Sequence, residues 1–302
     1  NHSMNNVSKI VLGAALLLLA TGSAAQTETS DRDDLRMTAL EALITAPPER
    51  AFPIVDKVLS GNHNMELKER ALFILSQMET PEAQAKLLTF ANGSEGGLQT
   101  EAIRMIGIGG DKDAIASLGE LYEGGSADVR EAVLEAYLIA DDTAAVFNIA
   151  ANTDNADEFA EAVQMLGAMG ANAELRELRS RAGLSESLIE AYAISGDAES
   201  LRELAMDSSN PEMQERAIEA LGIVGGDAVN QTLMEIYGSS SSDDVRDAAL
   251  EGLLISGHDG GVLELYRSSA DAGEKRRLLE YLVMMDSEAV WDLIDSALDG
   301  SQ

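Results

Sequence analysis

Nearly all the side chains in this sequence that are able to do chemistry are carboxylates. The 302 residues hold 53 Asp and Glu against 21 Lys and Arg, a net charge of −32. Carboxylates move protons, hold cations or attract basic partners, and their spacing decides between these uses. Here they are spread so evenly that no pair stands out as an acid–base couple. There is no cysteine, which removes disulfides, thiolate nucleophiles, cysteine zinc sites and a lipid-anchoring cysteine. The three histidines, His2, His63 and His258, stand in no ligand spacing, so no metal site is expected. Gly107-Ile108-Gly109-Gly110 is glycine-rich, but it follows no strand pattern and lacks phosphate-loop spacing. Residues 152–158 (NTDNADE) lack the spacing of a calcium-binding loop and read as a polar turn. Neither a catalytic residue nor a cofactor is expected.

The totals bound the class. At 45% hydrophobic residues, with charges dispersed along its length, the chain has enough apolar surface to fold. Aromatics are only 4%, while Ala, Leu and Glu are plentiful, which favours helix over sheet. A surface this negative repels nucleic acids and anionic headgroups and suits a basic partner, or a saline medium. Near the N-terminus Lys9 precedes an apolar run, Ile10 to Ala20, followed by Thr21-Gly22-Ser23-Ala24-Ala25. That order is an export signal with a cut after Ala25, so residues 1–25 are expected to be a signal peptide. Met4 reads as the native start, with residues 1–3 foreign to it. The run is too short to span a bilayer comfortably, so no stable membrane insertion is expected after cleavage. The expected location is the periplasm or the outside of a bacterial cell. Residues 26–34 (QTETSDRDD) read as a short disordered lead.

From residue 35 onward one pattern recurs. SADVREAVLEAYLIADD from Ser126 returns as SDDVRDAALEGLLISGHD from Ser242. With Ala217-Ile218-Glu219-Ala220-Leu221-Gly222-Ile223-Val224-Gly225 as template, Leu221 has counterparts at Leu43, Leu75, Ile106, Tyr137, Leu166, Tyr192, Leu253 and Leu282. The steps run from 26 to 32 residues, so about nine units tile residues 35–302. Each unit holds two helical patterns with a break between them. Gly110-Asp111, Gly196-Asp197 and Gly226-Asp227 each supply a helix stop followed by a capping Asp. Pro47-Pro48 and Pro81 serve the same junction in the first two units. One such hairpin cannot bury both its apolar faces, so the hairpins must stack.

These units resemble HEAT repeats, in particular the short HEAT-like repeats of the phycobilisome-lyase type. The resemblance is carried by Asp128-Val129-Arg130, Asp244-Val245-Arg246, the Ala217 to Gly222 pattern and the Gly-Asp turn. It implies an all-α fold, an α-solenoid (superhelix) of about nine stacked hairpins. It also implies that the Arg position, held by Arg36, Lys68, Arg130, Arg246 and Lys275 among others, pairs with acidic groups of the next unit. Glu158 and Glu274 depart from the Val column; Phe159 and Ser185 interrupt the Arg column where the 26-residue step is shortest, so a change of curvature near 156–200, or a division into two sub-stacks, is expected.

On the second helix of each unit one position carries Asp56, Glu120, Glu177, Glu203, Glu235, Glu264 and Asp292, with Thr89 and Asn148 in the other two units. Two flanking apolar positions face the core, so this position projects outward. The resemblance places these second helices on the concave side, where the carboxylates would form a negative stripe for a basic peptide or protein. Tyr122, Tyr237 and Tyr266 share a position two residues later and read either as recognition or as packing residues. The first helices carry acids too, at Glu41, Glu135, Glu190, Glu219, Glu251 and Glu280, so the charge also reads as general solubility or salt adaptation. The expected function is a non-enzymatic protein-binding or scaffold module of the cell envelope. The alternatives are a tetrapyrrole-handling lyase or chaperone, as the resemblance implies, and an acidic salt-adapted protein without a specific partner.

Overall fold

A computed structural model describes residues 34–93 and 96–298. The expected signal peptide and residues 26–33 of the expected lead lie outside the described residues. Asp34, placed in that lead by the sequence, is already helical. Among the described residues there is helix, turn and no strand.

The chain divides into two compact units, residues 1–140 and 141–302. The first contains α1 (34–41, running on into a 3-10 turn at Ala42–Thr45), α2 (Pro48–Ser60), α3 (Met65–Ser76), α4 (Pro81–Ala91), α5 (Gly96–Gly109), α6 (Lys112–Gly124) and α7 (Ala127–Ile139). The second contains α8 (Thr143–Asn152), α9 (Ala156–Ala168), α10 (Asn172–Ala182), α11 (Glu186–Ser195), α12 (Ala198–Ala205) and α13 (Pro211–Val224). It continues with α14 (Asp227–Ser239), α15 (Asp243–Ile255), α16 (Asp259–Ser268), α17 (Ala272–Met284) and α18 (Glu288–Leu298). Odd-numbered helices are the first helices of the nine repeats and even-numbered helices the second. Odd helices pack in file on odd ones, α3 on α5 on α7 in the first unit and α9 through α17 in the second. Even helices pack likewise, as in α12, α14 and α16. Each unit is therefore an α-solenoid of HEAT-like hairpins.

The recurring sequence explains the recurring structure. The Leu221 column forms the spine of the core: Leu75, Ile106, Tyr137, Leu166, Tyr192, Leu221, Leu253 and Leu282 are at most 3% exposed. Burying each such side chain contributes about 1.5–3 kcal/mol. Leu43 is only half-buried, because it belongs to the first hairpin, which has no described neighbour before it. Polar caps open most helices. Ser126 and Ser242, which begin the two repeated stretches, accept from the backbone N–H of Val129 and Val245. Asp111 and Asp197 cap α6 and α12 behind Gly110 (φ 68°) and Gly196 (φ 72°), as the Gly-Asp reading requires. Asp227 departs from that reading. Gly226 is the N-cap of α14, and Asp227 lies in its first turn, where its charge complements the helix dipole without a capping bond.

Candidate functional site

The carboxylate column of the even helices is not uniform. In the first unit, Asp56 on α2 is half-buried with Lys86 Nζ at 2.7 Å, whereas Glu120 on α6 is exposed and in no ion pair among the described residues. In the second unit, Glu177 on α10 pairs with Arg181 of its own helix, and Glu203 on α12 lies 3.4 Å from Arg179. Glu235 on α14, Glu264 on α16 and Asp292 on α18 are exposed, and no ion pair engages them among the described residues. Three consecutive even helices thus present carboxylates that no ion pair engages among the described residues.

The tyrosines grouped with that column are not on an open surface. Tyr122, Tyr237 and Tyr266 are 6%, 2% and 7% exposed. They stand two residues after the acidic position, a rotation of about 200° around the helix, and so face the core. Tyr237 has a defined structural role. Its hydroxyl accepts from Arg246 Nη2 at 3.0 Å, and the Arg246 guanidinium lies 4.5 Å from its ring centre. The same guanidinium pairs with Glu274 of the next hairpin, whose carboxylate also accepts from Ser269 Oγ. The Arg position therefore ties hairpins together at Arg246, and Glu274, which breaks the Val column, does so as the partner of that arginine. Gln99, Arg130 and Gln214 hold the same position and donate to the carbonyls of Ala91, Gly125 and Ala205, the ends of the preceding even helices. Trp291 is the exposed aromatic of the even helices, at 56%.

A second tie joins α10 to α12. Asp197 is 4% exposed and accepts from Arg176 Nη2 at 2.8 Å, Arg176 Nε at 3.0 Å, Ser200 Oγ at 2.7 Å and Ser200 N–H at 3.2 Å. Burial pushes its carboxyl up, but the hydrogen bonds from Arg176 and Ser200 outweigh burial and hold it below the usual carboxylate range.

The sequence reading passed over a row on the odd helices. Ile194 on α11, Ile223 on α13, Ile255 on α15 and Met284 on α17 are 50%, 67%, 55% and 57% exposed. All four stand two residues after the buried Leu221 column, and that recurrence was the available signal. One turn earlier on the same helices stand Glu190, Glu219, Glu251 and Glu280, all exposed and without ion pairs among the described residues.

No group of three or more His, Asp or Glu side chains among the described residues is placed to hold a metal ion. No described helix is long and apolar enough to cross a membrane.

A family model described as HEAT repeats matches residues 193–254, which cover the end of α11 through most of α15. No curated protein matches the chain. Among solved structures, the chain is similar to the complex of CpcE and CpcF of phycocyanin lyase from Nostoc sp., at 18% identity, covering 83% of this chain and 95% of that one, with a TM-score of 0.29. It is similar to human deoxyhypusine hydroxylase in complex with glycerol, at 16% identity, covering 75% and 98%, with a TM-score of 0.32. An engineered protein aligns at 16% identity, covering 77% and 95%, with a TM-score of 0.24. The matched HEAT repeats lie wholly in the second unit, and the hairpins around them repeat their spacing, caps and buried spine, so the architecture throughout is HEAT-like.

Proposed function

We propose that the chain is a non-enzymatic binding module that holds a basic protein or peptide against its even helices. The supporting observation is the run of exposed, unpaired carboxylates at Glu235, Glu264 and Asp292 on consecutive even helices, with Glu120 in the first unit. A row of like charges outside any ion pair among the described residues keeps a negative field. Repetition along the stack makes the contact multivalent, so a flexible basic segment gains from each hairpin it reaches. The same reading places the protein in the cell envelope, on the strength of Lys9, the apolar run Ile10 to Ala20 and the small residues up to Ala25.

The test uses a lysine-rich peptide without apolar side chains, titrated against the wild-type chain and against a variant with Glu120→Gln, Glu235→Gln, Glu264→Gln and Asp292→Asn. The expected result is binding that weakens with salt and is several-fold weaker in the variant. Equal affinity for both chains overturns the reading.

A further inference from the structure

We infer that the odd helices of the second unit carry a separate docking surface for a cationic amphipathic helix. The inference builds on the reading of the chain as a binding module, but it uses the other row of helices and a different chemistry.

The surface has two parallel stripes. Ile194, Ile223, Ile255 and Met284 form an apolar stripe across α11, α13, α15 and α17. Glu190, Glu219, Glu251 and Glu280 form an acidic stripe one turn away on the same four helices, since residues i and i+4 share a helix face. The stripes end together: on α9 the matching positions are Gln164 and Ala168. In the first unit the pattern is neutralised, because Arg104 replaces the acid before Ile108 and pairs with Glu135, the acid before Ile139. A water-exposed helix position is normally filled by a polar or charged residue, and this chain has acids in abundance. Four large apolar side chains in register, each left at least half open, are a surface without its cover.

Charge selects the cover. A second copy of this chain would bring the same acidic stripe and a net charge of −32 against this one, which is repulsive. The apolar residues 10–20 of the chain's own N-terminus come with one base, Lys9, and cannot answer four carboxylates. A partner with apolar anchors along one edge and Lys or Arg beside them satisfies both stripes. Spacing selects its form. Neighbouring packed helices lie about 8–10 Å apart. Residues seven apart on an α-helix are separated by about 10 Å along its axis. A helix laid across the four odd helices therefore meets each rung with one apolar residue per heptad, with its basic flank over the glutamates.

The probe is a Leu/Lys peptide about 24 residues long with its leucines on one helical face. Its companion has every Leu replaced by Ser and keeps the same charge. Both are titrated by fluorescence anisotropy at about 0.15 M salt against the full chain. The amphipathic peptide should bind at least about tenfold more tightly than its companion, as expected for a few buried apolar anchors. Ile194→Ser, Ile223→Ser, Ile255→Ser and Met284→Ser together should abolish that preference while leaving the thermal midpoint in place. Ile223→Asp with Ile255→Asp serves the same purpose if the fourfold variant fails to fold. The even-helix variant should keep the preference, which separates failure here from failure of the proposed function. Equal binding of the two peptides to wild type, or a preference that survives both apolar variants, overturns the inference. A dimer in sedimentation that the apolar variants turn into monomer overturns it too, because a second copy then covers the stripe.

Discussion

Gly222 on α13 lies so close to Gly252 on α15 that a Cβ built on Gly222 would fall 2.5 Å from the Gly252 Cα. The same crossing recurs at Gly107 on α5, whose Cβ would lie 2.6 Å from the Ala136 carbonyl oxygen, and at Gly167 on α9, 2.9 Å from that of Ala191. In each case the glycine follows the buried Leu221-column residue, and the small residue it meets precedes the same column in the next hairpin. The third hairpin is thereby locked to the fourth, the fifth to the sixth and the seventh to the eighth. Between these pairs the matching positions carry larger residues, such as Ala193 with Ala220 or Leu254 with Tyr281. Within each unit, close crossings at glycine alternate with looser ones.

Gly222→Ala should therefore destabilise the protein although alanine is the better helix former. The new methyl meets backbone, which cannot swing aside, and overpacking of this kind costs about 1–3 kcal/mol. Gly119→Ala on α6 is the control. Its Cβ would meet only the Tyr137 hydroxyl at 3.7 Å, an ordinary contact, so helix propensity should win by about 0.5–1 kcal/mol. Chemical denaturation of the two variants decides the matter. Equal destabilisation by both would mean that the crossing at Gly222 relaxes.

The spine and the caps were legible because they follow local rules. Leu221, Tyr192 and their counterparts keep helical spacing, and Ser126 and Ser242 stand where a cap must stand. Asp227 was misread because a Gly-Asp pair does not say whether the chain leaves its turn at the Gly or at the Asp. Tyr122, Tyr237 and Tyr266 were left open between surface and core, since a position two residues from an exposed one lies on the far side of a helix only if the outward face is known. The partnership of Arg246 with Glu274 joins residues 28 apart in sequence, and only the stack brings them together. Ile223 and its counterparts read as ordinary helix residues one by one, and their exposure depends on the first and second helices turning different faces to solvent.

Asp197 gives the protein a specific acid limb. Its folded carboxyl sits below the usual range, so its contribution is complete above the unfolded value near 4 and is lost as pH falls through the depressed folded value. Asp197→Asn keeps the shape and part of the cap but gives up the charge-assisted bonds to Arg176. The variant should lose about 1–2 kcal/mol at neutral pH, a cap-sized effect, because Arg176 is half exposed and stays hydrated when its partner goes. Wild type and variant should converge on acidification below about pH 4. Parallel curves across that range would show that the carboxylate charge is not what stabilises the tie.

The Arg246 cluster should be more sensitive to loss of its arginine than to loss of its tyrosine hydroxyl. Tyr237→Phe removes one acceptor but keeps the ring under the guanidinium, for about 0.5–1.5 kcal/mol. Arg246→Ala removes the pair with Glu274, the bond to Tyr237 and the stacked contact together, and leaves a part-buried hydroxyl and carboxylate to find water. A loss of about 2–3 kcal/mol is expected, read from urea midpoints at constant slope. If Tyr237→Phe matches Arg246→Ala, the hydroxyl bond and not the inter-hairpin pair would be the tie.

Salt should raise the thermal midpoint of the wild-type chain. Its 53 acids outnumber its 21 bases, so even complete pairing leaves 32 carboxylates repelling one another. Surface pairs such as Arg70 with Glu41 at 2.9 Å are each worth roughly 0–1 kcal/mol, and salt weakens them as well. Repulsion acts over the whole surface and is screened once the Debye length falls from about 14 Å at 0.05 M salt to about 4 Å at 0.5 M. The repulsive sum is the larger, so a midpoint several degrees higher is expected across that range in sodium chloride. Glu190→Gln, Glu219→Gln, Glu251→Gln and Glu280→Gln together should raise the low-salt midpoint and shrink the salt response, since none of these four carboxylates is in an ion pair among the described residues. A midpoint that falls with salt in the wild type would mean that the inter-hairpin ion pairs outweigh the repulsion.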